Sequence, residues 1–138
     1  MGQLNMQAVA VRLLPGDDVR KRIDEICAQR NIAAGVILSG VGNLQAVNIR
    51  LAGATSTLRR NDAFEIVSLT GTASVSGLHI HVALADTKAA VIGGHLLAGC
   101  IVRTTLELVV GVLDDTAFER AHDASTGYGE LVVHDLSR

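Results

Sequence analysis

The sequence contains almost no aromatic residues, with no tryptophan, one tyrosine and two phenylalanines in 138 residues. A core without large rings must be filled by Val, Leu, Ile and Ala, and the β-branched residues among these favour strands. The chain also lacks the interleaved aromatic and basic side chains on which nucleic-acid bases stack. The composition therefore favours a β-rich domain and argues against direct nucleic-acid binding.

An excess of charge of either sign is also missing. Twelve Lys and Arg residues stand against fourteen Asp and Glu residues, which gives a formal net charge of −2. The basic clusters, Arg20-Lys21-Arg22 and Arg59-Arg60, suit a solvated helix face and a loop tip. Because binding to phosphate backbones depends on clustered positive charge, this balance argues against a domain that grips nucleic acid by bulk charge.

Cysteine pairs and long apolar runs are absent from the sequence as well. Cys27 and Cys100 form no CxxC motif, and each is predicted to be a small buried hydrophobe. The N-terminus has no basic stretch followed by an apolar run, and no stretch reaches the ~18–20 apolar residues that span a bilayer. We therefore expect a cytoplasmic protein without a membrane span. The length predicts a single domain over residues 1–138.

The N-terminal part of the chain predicts a strand followed by a helix. Residues 5–14 are apolar with period-2 character, and Pro15-Gly16-Asp17-Asp18 follows as a turn that offers an Asp to cap a helix. An amphipathic helix is predicted next, ending near Arg30-Asn31. Its apolar positions, at helical spacing, are Val19, Ile23, Ile26 and Cys27.

The rest of the chain predicts strands separated by turns. These strands cover residues 34–38, 44–51, 64–75, 78–85, 91 onward, 101–113 and 131–133. The glycine-rich segment Ser39–Asn43 is predicted to be a tight turn between two of them. Dense strands around one main amphipathic helix indicate an α+β fold with a mostly antiparallel, strongly curved sheet.

The most informative motif is Gly77-Leu78-His79-Ile80-His81. Alternate side chains of a strand point to the same face, so His79 and His81 can direct their rings to one point above the sheet. Neutral imidazole suits Zn²⁺ and similar ions. An HxH pair by itself is also compatible with two histidines that have no ligand.

A third histidine follows a turn. If the segments around Asp86–Ala90 form a hairpin, His95 returns to this neighbourhood, and we predict that strict pairing places it opposite Val82, on the wrong face. Gly93-Gly94 could hold a bulge that reverses the facing. Three histidine ligands would leave one position open, as in catalytic zinc sites. The alternative is three unrelated histidines, and His122 and His134 are predicted to lie at the surface.

Two carboxylates lie in apolar strand patterns, Glu65 in FEIVSL and Glu107 in TTLELVV. Each could act as a general base, orient a metal-ligating histidine from behind, or form a salt bridge between subunits. A structural role is the favoured interpretation for both.

Five segments in the same order resemble the plant and prokaryote conserved (PPC) domain. They are RLLPGDDV, FEIVSLTGTAS, GLHIHVALAD, GGHLLAGCIVRTTLEL and TGYGEL, which together span about Val9 to Leu131. The resemblance implies an α+β fold with short flanking helices and a homotrimer. His79, His81 and His95 match family positions that hold zinc in some prokaryotic members.

In plants the domain follows AT-hook motifs in nuclear regulators and mediates assembly. The segment Phe64-Glu65-Ile66-Val67 corresponds to the one used there for partner contacts. This chain has no AT-hook, so the resemblance supports assembly and gives DNA association by family likeness only. Its turn at Asp86–Ala90 also departs from the family pattern, which usually has a glycine before the following valine.

Two functions remain open from the sequence. The favoured one is a homotrimeric assembly or regulatory module with a divalent metal, zinc or a similar ion, on His79, His81 and His95. The alternative is a small zinc-dependent enzyme in which Glu65 or Glu107 accepts a proton. No nucleophile elbow or Ser-His-Asp pattern is present to favour the enzyme.

Overall fold

Leucine-rich and β-branched segments form nine strands in the computed structural model, which describes residues 5–137. All strand pairings in this part of the chain are antiparallel. The elements are β1 (Met6–Leu13), α1 (Val19–Gln29), β2 (Gly35–Arg50), β3 (Thr57–Arg60), β4 (Phe64–Ser74), β5 (Gly77–Ala85), β6 (Val91–Leu96), β7 (Ile101–Leu113), β8 (Thr116–Asp123) and β9 (Tyr128–Asp135).

The main sheet curls until two of its strands meet. Its order is β1-β7-β2-β4-β5-β6, and β3 pairs with β2. The last strand, β6, also pairs with the far end of β2, at Ile49↔Leu96 and Arg50↔His95. Strands β8 and β9 form a separate two-stranded sheet. The predicted antiparallel, strongly curved sheet is therefore confirmed.

Helix α1 begins where the sequence predicts. The Asp18 side chain caps it, accepting hydrogen bonds from the backbone N–H of Lys21 at 3.1 Å and of Gly99 at 2.7 Å. The apolar face of the helix is buried, as expected. It is the one helix in residues 5–137, so the short flanking helices implied by the resemblance are not found there. No helix of this part of the chain is long and apolar enough to cross a membrane.

The predicted turn at Ser39–Asn43 is wrong, because β2 runs unbroken through it. A Cβ atom on Gly40 would lie 2.7 Å from Leu69 Cδ2, and one on Gly42 would collide with the backbone oxygen of Thr105. The glycines therefore permit close contact with neighbouring strands. Register shifts between β2 and β7 in the same region show that the strand is bulged here.

Two strands are absent from the sequence prediction. Arg59 and Arg60, expected at a loop tip, lie in β3. Strand β8 was missed because it has little buried apolar surface and pairs only with β9. Its sequence therefore shows only a weak alternation of apolar and polar residues, which is the pattern that predicts a strand.

The core is filled almost entirely by aliphatic side chains. Phe64 is its one aromatic member, at 1% exposure, among leucines, isoleucines and valines from α1 and the main sheet. Cys27 and Cys100 are buried free thiols, as predicted. Burial, with a smaller effect of Asp24, raises the pKa of the Cys27 thiol to about 11. This cysteine therefore packs as a hydrophobe.

Candidate metal centre

The hairpin of β5 and β6 carries the three histidines. On β5, His79 and His81 are exposed while Ile80 and Val82 between and after them are buried. The period-2 alternation thus puts both imidazoles on the outer face of the sheet, as predicted.

His95 lies on the same face, although not for the predicted reason. It pairs directly with His81, not with Val82, and the register is unbroken from Ala85↔Val91 to His81↔His95. The connection Asp86–Ala90 is centred on residue 88, so residues 81 and 95 are equally far from its centre. Directly opposed residues of an antiparallel pair share a face, and no bulge is needed.

The turn itself is held by one carboxylate. The Asp86 side chain accepts hydrogen bonds from the backbone N–H of Lys88 at 2.8 Å and of Ala90 at 3.0 Å. These bonds lower the pKa of Asp86. Ala89 adopts a φ of 63°, so an alanine takes the left-handed conformation here. The departure from the family pattern in this turn therefore leaves the hairpin register intact.

Gly93 and Gly94 have a different role from the predicted one. A Cβ atom on Gly94 would lie 2.5 Å from the backbone oxygen of Arg50, and one on Gly93 would lie 2.8 Å from that of Val82. The pair lets β6 fit between β5 on one side and β2 on the other. It positions His95 by allowing this close approach.

The three imidazole rings converge. The ring centroid of His81 lies 4.5 Å from that of His95 and 5.0 Å from that of His79. The rings of His79 and His95 are stacked, with their centroids 5.5 Å apart. One ring nitrogen from each histidine is available as a ligand, and these three atoms all lie within 4.8 Å of one another. In a tetrahedral zinc site with Zn–N bonds of about 2.0–2.1 Å, such nitrogens are about 3.3 Å apart. Small side-chain rotations would close this difference, so the three residues fit a metal ion.

The surroundings favour the neutral rings that bind metals. Partial removal from water lowers the pKa of His79, the charges of His81 and Arg120 lower it further, and Glu130 opposes part of this shift. The pKa of His95 is lowered by burial and then by Arg50 and the two other histidines. Neutral imidazole is the form that ligates a metal, so these shifts reduce competition from protons.

A cleft of about 610 Å³ opens beside His79 and His95. Strand β2, strand β5 and the β8–β9 hairpin supply its walls. Side chains that line it include Arg50, Leu78, Arg120, Tyr128 and Glu130. The sequence interpretation did not identify these residues. Arg120, Tyr128 and Glu130 come from a hairpin that was only half predicted, and Arg50 carried no signal beyond ending an alternating strand.

The two predicted carboxylates lie elsewhere. Glu107 is exposed on β7, opposite Arg12 of β1 and Val41 of β2. Glu65 is exposed on β4, opposite Ala85, which is about 13 Å along β5 from His81. Within residues 5–137, neither carboxylate hydrogen-bonds a histidine of the cluster.

The predicted partner segment at the start of β4 divides between two faces. Phe64 and Ile66 are core residues at 1% and 9% exposure, whereas Val67 is 60% exposed and Glu65 also faces outward. A partner contact by this segment would therefore use Glu65 and Val67.

The two remaining histidines are exposed, as predicted. His122 lies on β8, and the Nε2 atom of His134 on β9 lies 2.7 Å from Glu119 Oε2. Neither belongs to the three-histidine group.

Solved structures of similar proteins share this fold. A protein from Salmonella enterica is 37% identical with a TM-score of 0.94, and the match covers 97% of each chain. A metal-containing protein from Archaeoglobus fulgidus is 26% identical with a TM-score of 0.75, covering 96% of this chain and 99% of the other. A plant- and prokaryote-conserved protein from Pyrococcus horikoshii shows the same fold at 22% identity, with a TM-score of 0.77 and 94% of each chain covered.

Sequence comparison finds relatives that are much longer. The bifunctional protein GlmU of two Synechococcus strains is 35% and 33% identical over 133 residues, which is 96% of this chain. The chain spans about a fifth of the length of these curated relatives, 21% in each case. Residues 2–114 match the Plants and Prokaryotes Conserved (PCC) domain. This is the family that the sequence motifs resemble, named PPC above. The chain therefore belongs to this family.

Proposed function

We propose that this chain is a metal-binding assembly module. His79, His81 and His95 hold one divalent transition metal ion, zinc or a similar ion, on the outer face of the sheet and leave a coordination position open to the cleft. The observation that carries this proposal is the convergence of three imidazole nitrogens within 4.8 Å on two paired strands. The metal-containing relative from Archaeoglobus fulgidus supports it.

The ligand type makes the site selective, and the paired strands set its geometry. Two ligands lie on β5 and one on β6, and the β5–β6 register fixes their spacing before any ion arrives. Imidazole ligands favour Zn²⁺ and neighbouring transition metals over Mg²⁺ and Ca²⁺, which prefer oxygen.

Metal analysis tests the proposal directly. Protein purified without a histidine tag is expected to carry, or to take up from added Zn²⁺, close to one equivalent per chain, measured by elemental analysis and titration calorimetry. A protein that holds no metal and shows no heat of Zn²⁺ binding would refute the metal site.

We propose further that the chain assembles as a homotrimer, as family resemblance implies. An apolar patch on the outer face of β1, β7 and β2 supports assembly. Met6 and Leu38 are 51% and 45% exposed, and both lie beside Gly111, where a Cβ atom would be 2.6 Å from Met6 Sδ and 3.2 Å from Leu38 Cδ1. Burying such a patch between subunits would remove apolar surface from water.

Replacing Leu38 with Asp is expected to shift the protein from trimer to monomer. A carboxylate in the middle of an apolar interface would be desolvated without a partner. Light scattering coupled to size exclusion measures the mass at micromolar concentration. Arg103→Asp, at an exposed position on β7 outside this patch, is the matched control and should stay trimeric. A monomeric wild-type chain would refute the assembly proposal.

The charge balance fits assembly better than direct DNA contact. A net charge of −2 and few clustered basic residues give little attraction to phosphate backbones. We propose that any association with DNA by this chain runs through partner proteins.

A second candidate function is a small metal-dependent enzyme. The coordination position that three histidines would leave open faces a cleft that Glu130 lines. Bound zinc supplies a Lewis acid, and a nearby carboxylate can accept a proton. Turnover of a small molecule that requires the loaded metal would favour this candidate over the assembly module.

A further inference from the structure

Two arginines stand on either side of the histidine cluster. Arg50 of β2 pairs with His95 of β6, so their side chains share the outer face. On the other side, Arg120 Nη2 donates to Thr72 Oγ1 at 3.0 Å, and Thr72 pairs with His79. One guanidinium therefore lies beside each of the two histidines that line the cleft.

Neither arginine has a charged partner within residues 5–137. The ion pairs of this part of the chain involve other residues, and the Nε–H of Arg50 is buried without a hydrogen-bond acceptor. A buried donor without an acceptor is unfavourable, and an acceptor from a ligand would satisfy it. Glu130 is exposed and offsets one of the two positive charges that line the cleft. The cleft therefore carries net positive charge, which a divalent ion would increase.

We propose that this cleft binds a small organic anion whose carboxylate or phosphate head lies between Arg50, Arg120 and the open position of the metal. Guanidinium groups match the geometry of both oxyanions, since they donate paired N–H bonds. Leu78 and Tyr128 line the same cleft and offer apolar surface to the carbon part of the ligand. The volume of about 610 Å³ is that of a small-molecule site. This inference rests on the proposed metal site.

The test uses Co²⁺-loaded protein, because the visible absorption of Co²⁺ reports a change in its ligands. The probes are propionate, methyl phosphate and the neutral analogue propionamide. At least one of the two anions is expected to change the spectrum saturably, and propionamide is expected to leave it unchanged. Comparing propionate with methyl phosphate shows which of the two oxyanions the site prefers.

Substitution of the arginines separates their roles from that of the metal. In Arg50→Gln and in Arg120→Gln, the dissociation constant of the anion is expected to rise at least about 10-fold, while Co²⁺ still loads. Arg50→Lys keeps a positive charge at the position and provides a second variant should Arg50→Gln fail to fold. Circular dichroism checks the fold of each variant. Arg103→Gln, at an exposed position on β7, is the matched control and should bind the anion as wild type does.

The outcomes distinguish this inference from the metal proposal. If Co²⁺ loads but neither anion binds, or if both Arg→Gln variants bind it normally, the anion site is refuted and the metal site stands. If Co²⁺ does not load, the metal site is refuted. In that case, methyl phosphate is titrated into the metal-free protein and followed by NMR, to test whether the two arginines bind an anion without the metal. Shifts of the Gly53 and Gly129 amide signals would support the anion site, and unchanged signals would refute it.

Discussion

Replacing His81 with Ala is expected to weaken metal binding by at least about 100-fold, which corresponds to about 2.7 kcal/mol. His81 is the central ring of the cluster, at 4.5 Å from His95 and 5.0 Å from His79. Removing it leaves two ligands, and even residues that only support a metal ligand are worth about 10–100-fold. Titration calorimetry with Zn²⁺ measures the change in affinity.

The fold should survive this substitution. The His81 side chain is exposed, and surface changes usually alter stability by no more than about 0.5 kcal/mol. His122→Ala, at an exposed histidine of β8 outside the cluster, is the matched control and should keep wild-type affinity. Equal Zn²⁺ affinity in His81→Ala and wild type would show that the ion binds elsewhere.

Gly94→Ala is expected to lower the free energy of unfolding by about 2 kcal/mol, since forcing extra atoms into a packed site typically costs about 1–3 kcal/mol. The new Cβ atom would lie 2.5 Å from the backbone oxygen of Arg50, and only a movement of β6 or β2 can relieve that contact. Such a movement displaces His95, so Zn²⁺ affinity should fall as well. Urea unfolding measures the first effect and calorimetry the second.

Gly129→Ala provides the comparison for a glycine on a strand with room around it. Its nearest neighbour would be Arg120 Cβ at 3.9 Å, an ordinary contact. We expect little change in its stability. If Gly94→Ala were as stable as Gly129→Ala, the close approach of β6 to β2 would not be needed for the fold.

The histidine cluster was predictable in its members and not in its register. The HxH spacing alone places His79 and His81 on one face, because strand geometry leaves no other choice. His95 requires the length of the turn at Asp86–Ala90, and an offset of one residue in counting reverses the facing. The bulge predicted at Gly93 and Gly94 is not present, because His95 pairs directly with His81 and so reaches the predicted face without one.

The other residues of the site could not be predicted from local sequence patterns. Arg50 and Arg120 reach the cleft from β2 and β8, which are far apart in the sequence. Only the curl of the sheet and the docking of the β8–β9 hairpin bring them together. Glu107, for which a structural role was favoured over support of a histidine, faces outward on β7.

Much of the fold followed from apolar patterning. The helix at Val19–Gln29 and the long strand at Ile101–Leu113 lie where periodicity and capping place them. The prediction of a turn at Gly40 and Gly42 was wrong because glycine occurs both in turns and where two strands approach closely. Which applies depends on neighbours such as Leu69 that are distant in sequence.

The pairing of β5 with β6 bears on how the protein folds. All three histidines of the cluster belong to one hairpin, residues 79–95, whose contacts are short-range in sequence. Hairpins form within about 1–10 μs, whereas long-range pairings form later because a large loop must close first. The histidines can therefore meet before the sheet has curled onto β2. We expect the two arginines to join later, because their placement needs long-range strand pairing, so assembly would run from the histidine cluster outward to the walls of the cleft.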